Sequence, residues 1–222
     1  MSGSECNLPR KVNAGQDGGG RKVWRAGKSG VAQQSREVIV RVTGRTRNPS
    51  GLAAQLSYNT RKGELPGELS NGRILHGLDD MRALRDRWVA DNAAYARRTS
   101  CPTQSLGVVL SMPAGTPHET VVEATRAWAR QHISPVTEWF AVQHADRSHF
   151  HSHVAVRAVQ LDGYRLETPP REIQAWRETF AQSLRQQGVM AEATPRREKV
   201  QRILAQRQEL QDVTVPEMRL RL

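Results

Sequence analysis

The sequence predicts an α+β domain, a mostly antiparallel central sheet with helices packed against one face. Three observations predict it. TEWFAVQH (137–144) and HVAVRAVQ (153–160) are strand-like runs separated only by ADRSHFHS, the spacing of a hairpin. EVIVRVT (37–43) alternates Val38, Val40 and Val42 with Glu37, Arg41 and Thr43, the period of a half-buried strand. Between these runs lie segments with helical spacing, so strands alternate with helices along the chain.

Residues 1–36 carry seven basic side chains (Arg10, Lys11, Arg21, Lys22, Arg25, Lys28, Arg36) against Glu5 and Asp17, and little beyond Trp24 that could enter a core. Such a segment cannot bury enough apolar surface to offset its chain entropy, so a disordered basic arm is expected there. The folded domain is expected over 37–198, opening on the strand 37–43. After the turn GRTRNPSG, GLAAQLSYNTR reads as a short helix and KGELPGELSNG as a Gly/Pro/Asn-rich loop. DDMRALRDRWVADNAAYARR then places Met81, Leu84, Trp88, Val89 and Ala93 at helical spacing behind Asp79 and Asp80.

SLGVVLSM (105–112) reads as a buried strand. Thr116, Pro117 and Glu119 form a capping-box pattern with proline at the first helical position, which predicts a helix through Trp128 to His132. Beyond the hairpin, a helix from Thr168-Pro169-Pro170 carries Ile173, Trp176, Phe180 and Leu184 and stops at Gly188. ATPRREKVQRILAQRQEL supplies one more basic helix, and 199–222 is expected to be a helical, basic C-terminal extension.

Thirty-three Lys and Arg against 22 Asp and Glu give a formal charge of +11 and a pI near 10.7. Self-repulsion of that size points to an acidic partner, nucleic acid first and an anionic membrane second. Two cysteines, Cys6 and Cys101, provide neither a disulfide framework nor a C-x-x-C zinc site. No window approaches the ~18 consecutive apolar residues of a membrane span, and the N-terminus lacks an apolar signal core. The expectation is a soluble, cytoplasmic chain without membrane insertion.

Four of the seven histidines, with Asp146, fall inside HADRSHFHSHVAVR (144–157). On a strand, residues two apart share a face, so His151 and His153 point the same way, and His144 sits beside them across the hairpin. Three neutral imidazoles can hold one divalent cation and leave positions open for water or a phosphate oxygen. Asp146 is placed to orient a ligand histidine through its second ring proton, or to take part in proton transfer. His149 is out of phase with the pair. These residues alone leave open a metal hydrolase, an oxygenase with Asp146 as carboxylate ligand, and a DNA-cleaving transesterase.

A transesterase needs a nucleophile, and the tyrosines are Tyr58, Tyr95 and Tyr164. Tyr95 follows Trp88 and Val89 along a helix, where packing accounts for it, and Tyr164 lies in a turn after Gly163. Tyr58 ends a short helix and is followed by Arg61, Lys62 and Gly63. A phenol of ordinary pKa ~10 is a poor nucleophile at neutral pH, and neighbouring cations favour its phenolate.

LSYNTRKGEL, VVLSMPAGT, HADRSHFHSHVAVR and GVMAEATPR, in that order, resemble the successive motifs of the MOBP class of conjugative relaxases, its T-DNA border endonuclease branch among them, within the HUH endonuclease superfamily. The resemblance runs from Glu37 to Arg197 and implies an HUH relaxase-like palm as the fold. It also implies a site- and strand-specific nickase at an origin of transfer. Tyr58 would attack the scissile phosphodiester, leaving a 5′-phosphotyrosine and a free 3′-OH, with His144, His151 and His153 on a divalent ion, Asp146 assisting, and Ser111 contacting DNA near the nick. Magnesium or manganese is the expected ion because its partner is phosphate, with zinc able to bind in vitro.

Arg41, Arg45, Arg47, Arg61, Lys62 and Arg157 become candidates for contacts to the DNA backbone. The partners implied are single-stranded or supercoiled origin DNA, relaxosome accessory proteins and a type IV secretion coupling protein. The implied setting is the bacterial cytoplasm, with export to a recipient cell alongside the transferred strand, and a parent chain with further C-terminal regions. Two departures from the family pattern stand out: Phe150 replaces a common proline, and Asn59 a usual hydrophobic residue. The competing readings are an HUH replication initiator or transposase and a non-catalytic basic DNA-binding accessory protein.

Overall fold

A computed structural model of the chain describes residues 37–96, 103–145 and 150–214. The basic arm expected at 1–36, together with Cys101, Asp146 and His149, lies outside the described residues. Among the described residues six strands form one sheet: β1 (Ile39–Thr46), β2 (Gly67–Leu69), β3 (Ile74–Leu75), β4 (Ser105–Ser111), β5 (Trp139–His144) and β6 (His151–Arg157). Five helices join them: α1 (Pro49–Asn59), α2 (Gly77–Tyr95), α3 (His118–His132), α4 (Pro170–Gln186) and α5 (Arg196–Thr214). The sheet order is β1-β4-β6-β5-β2-β3, with every neighbouring pair antiparallel. The α+β class is therefore the observed one. Because β6 slots between β4 and β5, the unit β4-α3-β5 is a split crossover.

Helices cover both faces of the sheet, which corrects the expectation of one. Side-chain parity gives the reason. Trp139 and Ala141 of β5 and Val154 and Val156 of β6 join a core with Trp128 of α3 and Trp176 of α4. Phe140 and Val142 of β5 and Ala155 of β6 join a second core with Leu52 and Leu56 of α1 and Leu84 and Trp88 of α2. Strands apolar at consecutive positions bury both faces and need a layer on each. Leu52 and Leu56 are fully buried, each contributing roughly 1.5–3 kcal/mol, and they clamp α1 onto the second face.

Two local expectations also change. The stretch read as the loop KGELPGELSNG contains β2 and leads into β3, a small hairpin that extends the sheet beyond β5; its strands are too short to show a period in sequence. The capping box at Thr116 does not form. The Thr116 hydroxyl donates to the Pro113 carbonyl at 3.0 Å, and α3 starts at His118 without a side-chain cap. By contrast α1 is capped as its sequence dictates, with Asn48 Oδ1 accepting from Gly51 N at 2.7 Å and proline following at the first helical position. The expected boundary at residue 198 falls inside α5, where Lys199 pairs with Glu37 and Arg202 with Glu192.

Candidate active site

The site grows from the β5–β6 register. His144 pairs with His151 and Val142 with His153, so the three imidazoles share the α1/α2 face with Phe140, Val142 and Ala155, at the end of the sheet where that apolar core stops. Ring centroids lie 5.1 Å apart for His144–His151, 4.3 Å for His144–His153 and 5.0 Å for His151–His153. One ligand nitrogen from each lies within 4.8 Å of the others, with His144 buried and the other two partly so. That spacing and donor set fit a single divalent cation held on one side by protein.

A hydrogen bond fixes which His144 nitrogen can serve. Its Nε2 lies 2.7 Å from the Asn59 carbonyl oxygen. A carbonyl only accepts, so Nε2 carries the proton and the lone pair sits on Nδ1. The Arg61 guanidinium lies 3.4 Å from that Nδ1. Asn59 directly follows Tyr58, so the segment bearing the candidate nucleophile also orients a candidate metal ligand.

Tyr58 is 61 % exposed at the end of α1. Its ring meets His153 edge-on, centroids 5.4 Å apart, and stands 6.4 Å from His144. The two other tyrosines are elsewhere: Tyr95 packs against Arg157, and Tyr164 lies in the turn after β6.

Beyond Asn59 the chain turns sharply. Arg61 and Lys62 adopt left-handed backbone, φ 52° and 59°, followed by Gly63 at φ 89°. Such conformations cost non-glycine residues energy and mark places where the surroundings impose them. Here Lys62 N donates to the Ser57 carbonyl at 2.7 Å, and Thr60 Oγ1 donates to the Leu56 carbonyl at 2.8 Å while accepting from Gly63 N. Gly63 is required because a Cβ would come within 3.0 Å of the Gly77–Leu78 backbone. The strained turn leaves both side chains exposed, with Arg61 reaching His144.

The remaining expected DNA contacts divide by strand parity. Arg41 pairs with Val109, which pairs with His153, so Arg41 projects on the site's face. Arg47 is exposed after β1. Arg45 turns to the opposite face, donating to the Leu166 carbonyl at 2.9 Å and to Thr168 Oγ1 at 3.1 Å. Arg157 is only 6 % exposed, at the far end of β6 from His151, and pairs with Asp91 at 3.3 Å; the structure gives it a scaffold position instead of a DNA-facing one. Ser111 pairs with His151 but is buried, and its hydroxyl donates to the Phe150 carbonyl at 3.2 Å. Phe150 in turn packs on the His118 ring, centroids 4.4 Å apart.

One feature went unread in the sequence. A cleft of 370 Å³ opens beside Tyr58 and His153, lined also by Thr43, Gln55, Asn59 and Gly107. Gly107, a glycine inside a buried strand, was the available signal, because such a position marks close approach of backbone or ligand.

A histidine triad, one ring buried and two partly so, stands beneath an exposed tyrosine at the end of an antiparallel sheet. The family described as relaxase, MobA/VirD2-like, nuclease domain matches residues 58–189, and the chain belongs to it. Among curated relatives it is similar to the T-DNA border endonuclease VirD2 of Rhizobium radiobacter, 26 % identical over 73 % of this chain and 43 % of that protein. The same enzyme of Rhizobium rhizogenes is 26 % identical over 73 % of this chain and 42 % of its own length. The chain thus spans less than half the length of the relatives it matches.

Proposed function

We propose that this chain is a metal-dependent, site- and strand-specific DNA nicking and closing enzyme acting at an origin of transfer, for conjugative transfer or mobilisation. The observation that carries the reading is the exposed Tyr58 ring standing over His153, within a three-histidine group able to hold one cation. Tyr58 Oη gives up its proton and bonds to phosphorus as the bond from phosphorus to the 3′ oxygen breaks; the 3′ oxygen takes a proton, and a 5′-phosphotyrosine remains. Because one ester replaces another, the bond energy is kept for religation. His144 Nδ1, His151 and His153 are the metal ligands in this reading, with magnesium or manganese as the ion. When bound, such an ion neutralises charge on a non-bridging phosphate oxygen.

Arg61, Lys62 and Arg41 lie where the strand's phosphates would pass, and each favours the anionic substrate. Asp146, adjacent in sequence to this end of β5, is assigned a supporting role toward its histidine neighbours, and Ser111, paired with His151 in the sheet, a contact to DNA near the nick. Origin DNA, relaxosome accessory proteins and a secretion coupling protein are the proposed partners, in the bacterial cytoplasm with export alongside the strand. No helix among the described residues is long and apolar enough to cross a membrane.

The test is covalent trapping. Wild-type protein with Mn2+ and single-stranded DNA from the cognate transfer origin should give an adduct resistant to denaturation, and Tyr58→Phe should give none. An adduct formed equally by Tyr58→Phe would remove Tyr58 from the reaction.

A further inference from the structure

The cleft beside Tyr58 has a chemical character of its own. Its floor is β4 at Gly107, which pairs with Ala155, two residues along β6 from His153. One wall is α1, with Gln55 and Tyr58 a turn apart; the opposite wall is Thr43, at the bulge where the β1–β4 register shifts between Val42 and Gly44. The absence of a side chain at Gly107 lets the ends of Thr43 and Gln55 close over it: a Cβ there would lie 2.5 Å from Thr43 Oγ1 and 2.7 Å from Gln55 Nε2, and would push both into the cleft.

Gln55 is held in one orientation. Ser105 Oγ donates to its Oε1 at 2.5 Å, and Ser105 is itself bonded to Thr46 Oγ1 at 2.6 Å. With the oxygen engaged, the Nε2 amide protons are directed to the Gly107 side, so the cleft presents a fixed donor. At 370 Å³ it is at the small end of ligand sites, room for one flat ring system and little more. An exposed aromatic ring forms its rim, a surface on which bases stack whatever their identity. A donor meets a carbonyl oxygen and leaves an amino group unpaired.

We propose that this cleft is a subsite for one base of the strand held at Tyr58, and that Gln55 selects a keto base, guanine or thymine, over adenine. The proposal rests on the DNA-nicking reading and assigns it a specificity determinant. Gly107 gives the Gln55 amide its seat at the floor, Gln55 supplies the donor and Tyr58 supplies the stacking edge. The position is one strand removed from the histidines, about 4.8 Å across the sheet, so a base lodged there belongs to a nucleotide at the nick.

The experiment titrates 15N-labelled protein with each of the four 2′-deoxynucleoside 5′-monophosphates, following the Gln55 side-chain amide. The guanine and thymine nucleotides should shift it, with affinity ~10-fold above that of the adenine nucleotide. Gln55→Glu keeps the acceptor for Ser105 but turns the donor into an acceptor, and should reverse the order. Gly107→Ala should abolish binding of all four while its thermal unfolding stays cooperative, because the atoms it meets are side-chain ends. Equal response to all four nucleotides, no response at Gln55, or an unchanged order in Gln55→Glu would overturn the subsite. A parallel trap of a randomised single-stranded pool separates the two readings. No adduct with wild type defeats the nickase, while adducts with the same flanking base for wild type and Gln55→Glu defeat only the subsite.

Discussion

The His144 ring donates from Nε2 to the carbonyl oxygen of Asn59, 2.7 Å away, and thereby ties the three-histidine cluster to the residue next to Tyr58. The bond holds His144 as the Nε2–H tautomer, with the lone pair on Nδ1. Imidazole 15N correlation spectra should show the Nε2–H form before metal is added, and Zn2+ should shift Nδ1 while Nε2 stays protonated. A His144 protonated on Nδ1 in the neutral ring would contradict the assignment.

Lys62 is held at φ 59°, a conformation glycine adopts without steric cost. Lys62→Gly relieves that strain but gives the unfolded chain more freedom, so the net gain should stay below ~1 kcal/mol. The same change removes a cation beside the site and should lower the dependence of log K on log salt for single-stranded DNA by about 1. Stability by thermal unfolding and affinity by anisotropy across a salt series should therefore move in opposite directions.

Arg157 pairs with Asp91, and its guanidinium stacks 5.9 Å from the Tyr95 ring centroid. Asp91 remains partly solvated and keeps Arg87 at 3.9 Å, so losing Arg157 should cost less than a fully buried pair, about 1–2 kcal/mol. Arg157→Met should lower the unfolding midpoint and leave the salt slope of DNA binding unchanged. A reduced slope would return Arg157 to the DNA interface.

His132, in the last turn of α3, is bonded to Thr179 Oγ1 at 2.8 Å and lies 3.6 Å from Glu172. Burial pushes its pKa below the ordinary value, outweighing the pull of the Glu172 carboxylate. A base with a depressed folded pKa contributes stability that is complete above its unfolded pKa, ~6.5, and lost as pH falls through the folded value. The melting temperature of wild type should therefore drop more steeply below pH 6.5 than that of His132→Gln, and identical curves would show that His132 is not the titrating group.

Removing a single ligand should separate metal from DNA binding. His153→Ala should weaken Mn2+ binding by ~100-fold or more by calorimetry, since loss even of groups that only orient ligands costs 10–100-fold. Cooperative unfolding should persist, because His153 lies at the partly exposed end of β6.

Much of the site was legible because strand parity is a local property. Once 137–144 and 153–160 read as adjacent strands, His144, His151 and His153 had to share a face, and the register His144–His151 agrees. Parity also explains what was missed. Arg45 and Arg41 both looked available for DNA, but the bulge between Val42 and Gly44 puts Arg45 on the opposite face from Arg41. Such a bulge leaves no mark in the alternation of three valines. Arg157 carries no sign of burial in sequence; only Asp91, on a helix far along the chain, makes its interior position tolerable.

By itself the sequence determined the α+β class, the helices, the histidine triad and the candidate nucleophile, because periodicity and motif spacing act over a few residues. Tertiary structure decided the layering on both faces, the tautomer of His144, the strained Arg61–Lys62 turn beside it and the cleft over Gly107. Each of these depends on contacts between segments roughly 50 to 120 residues apart or on a backbone shape that packing imposes, and no local pattern encodes which distant partner will arrive.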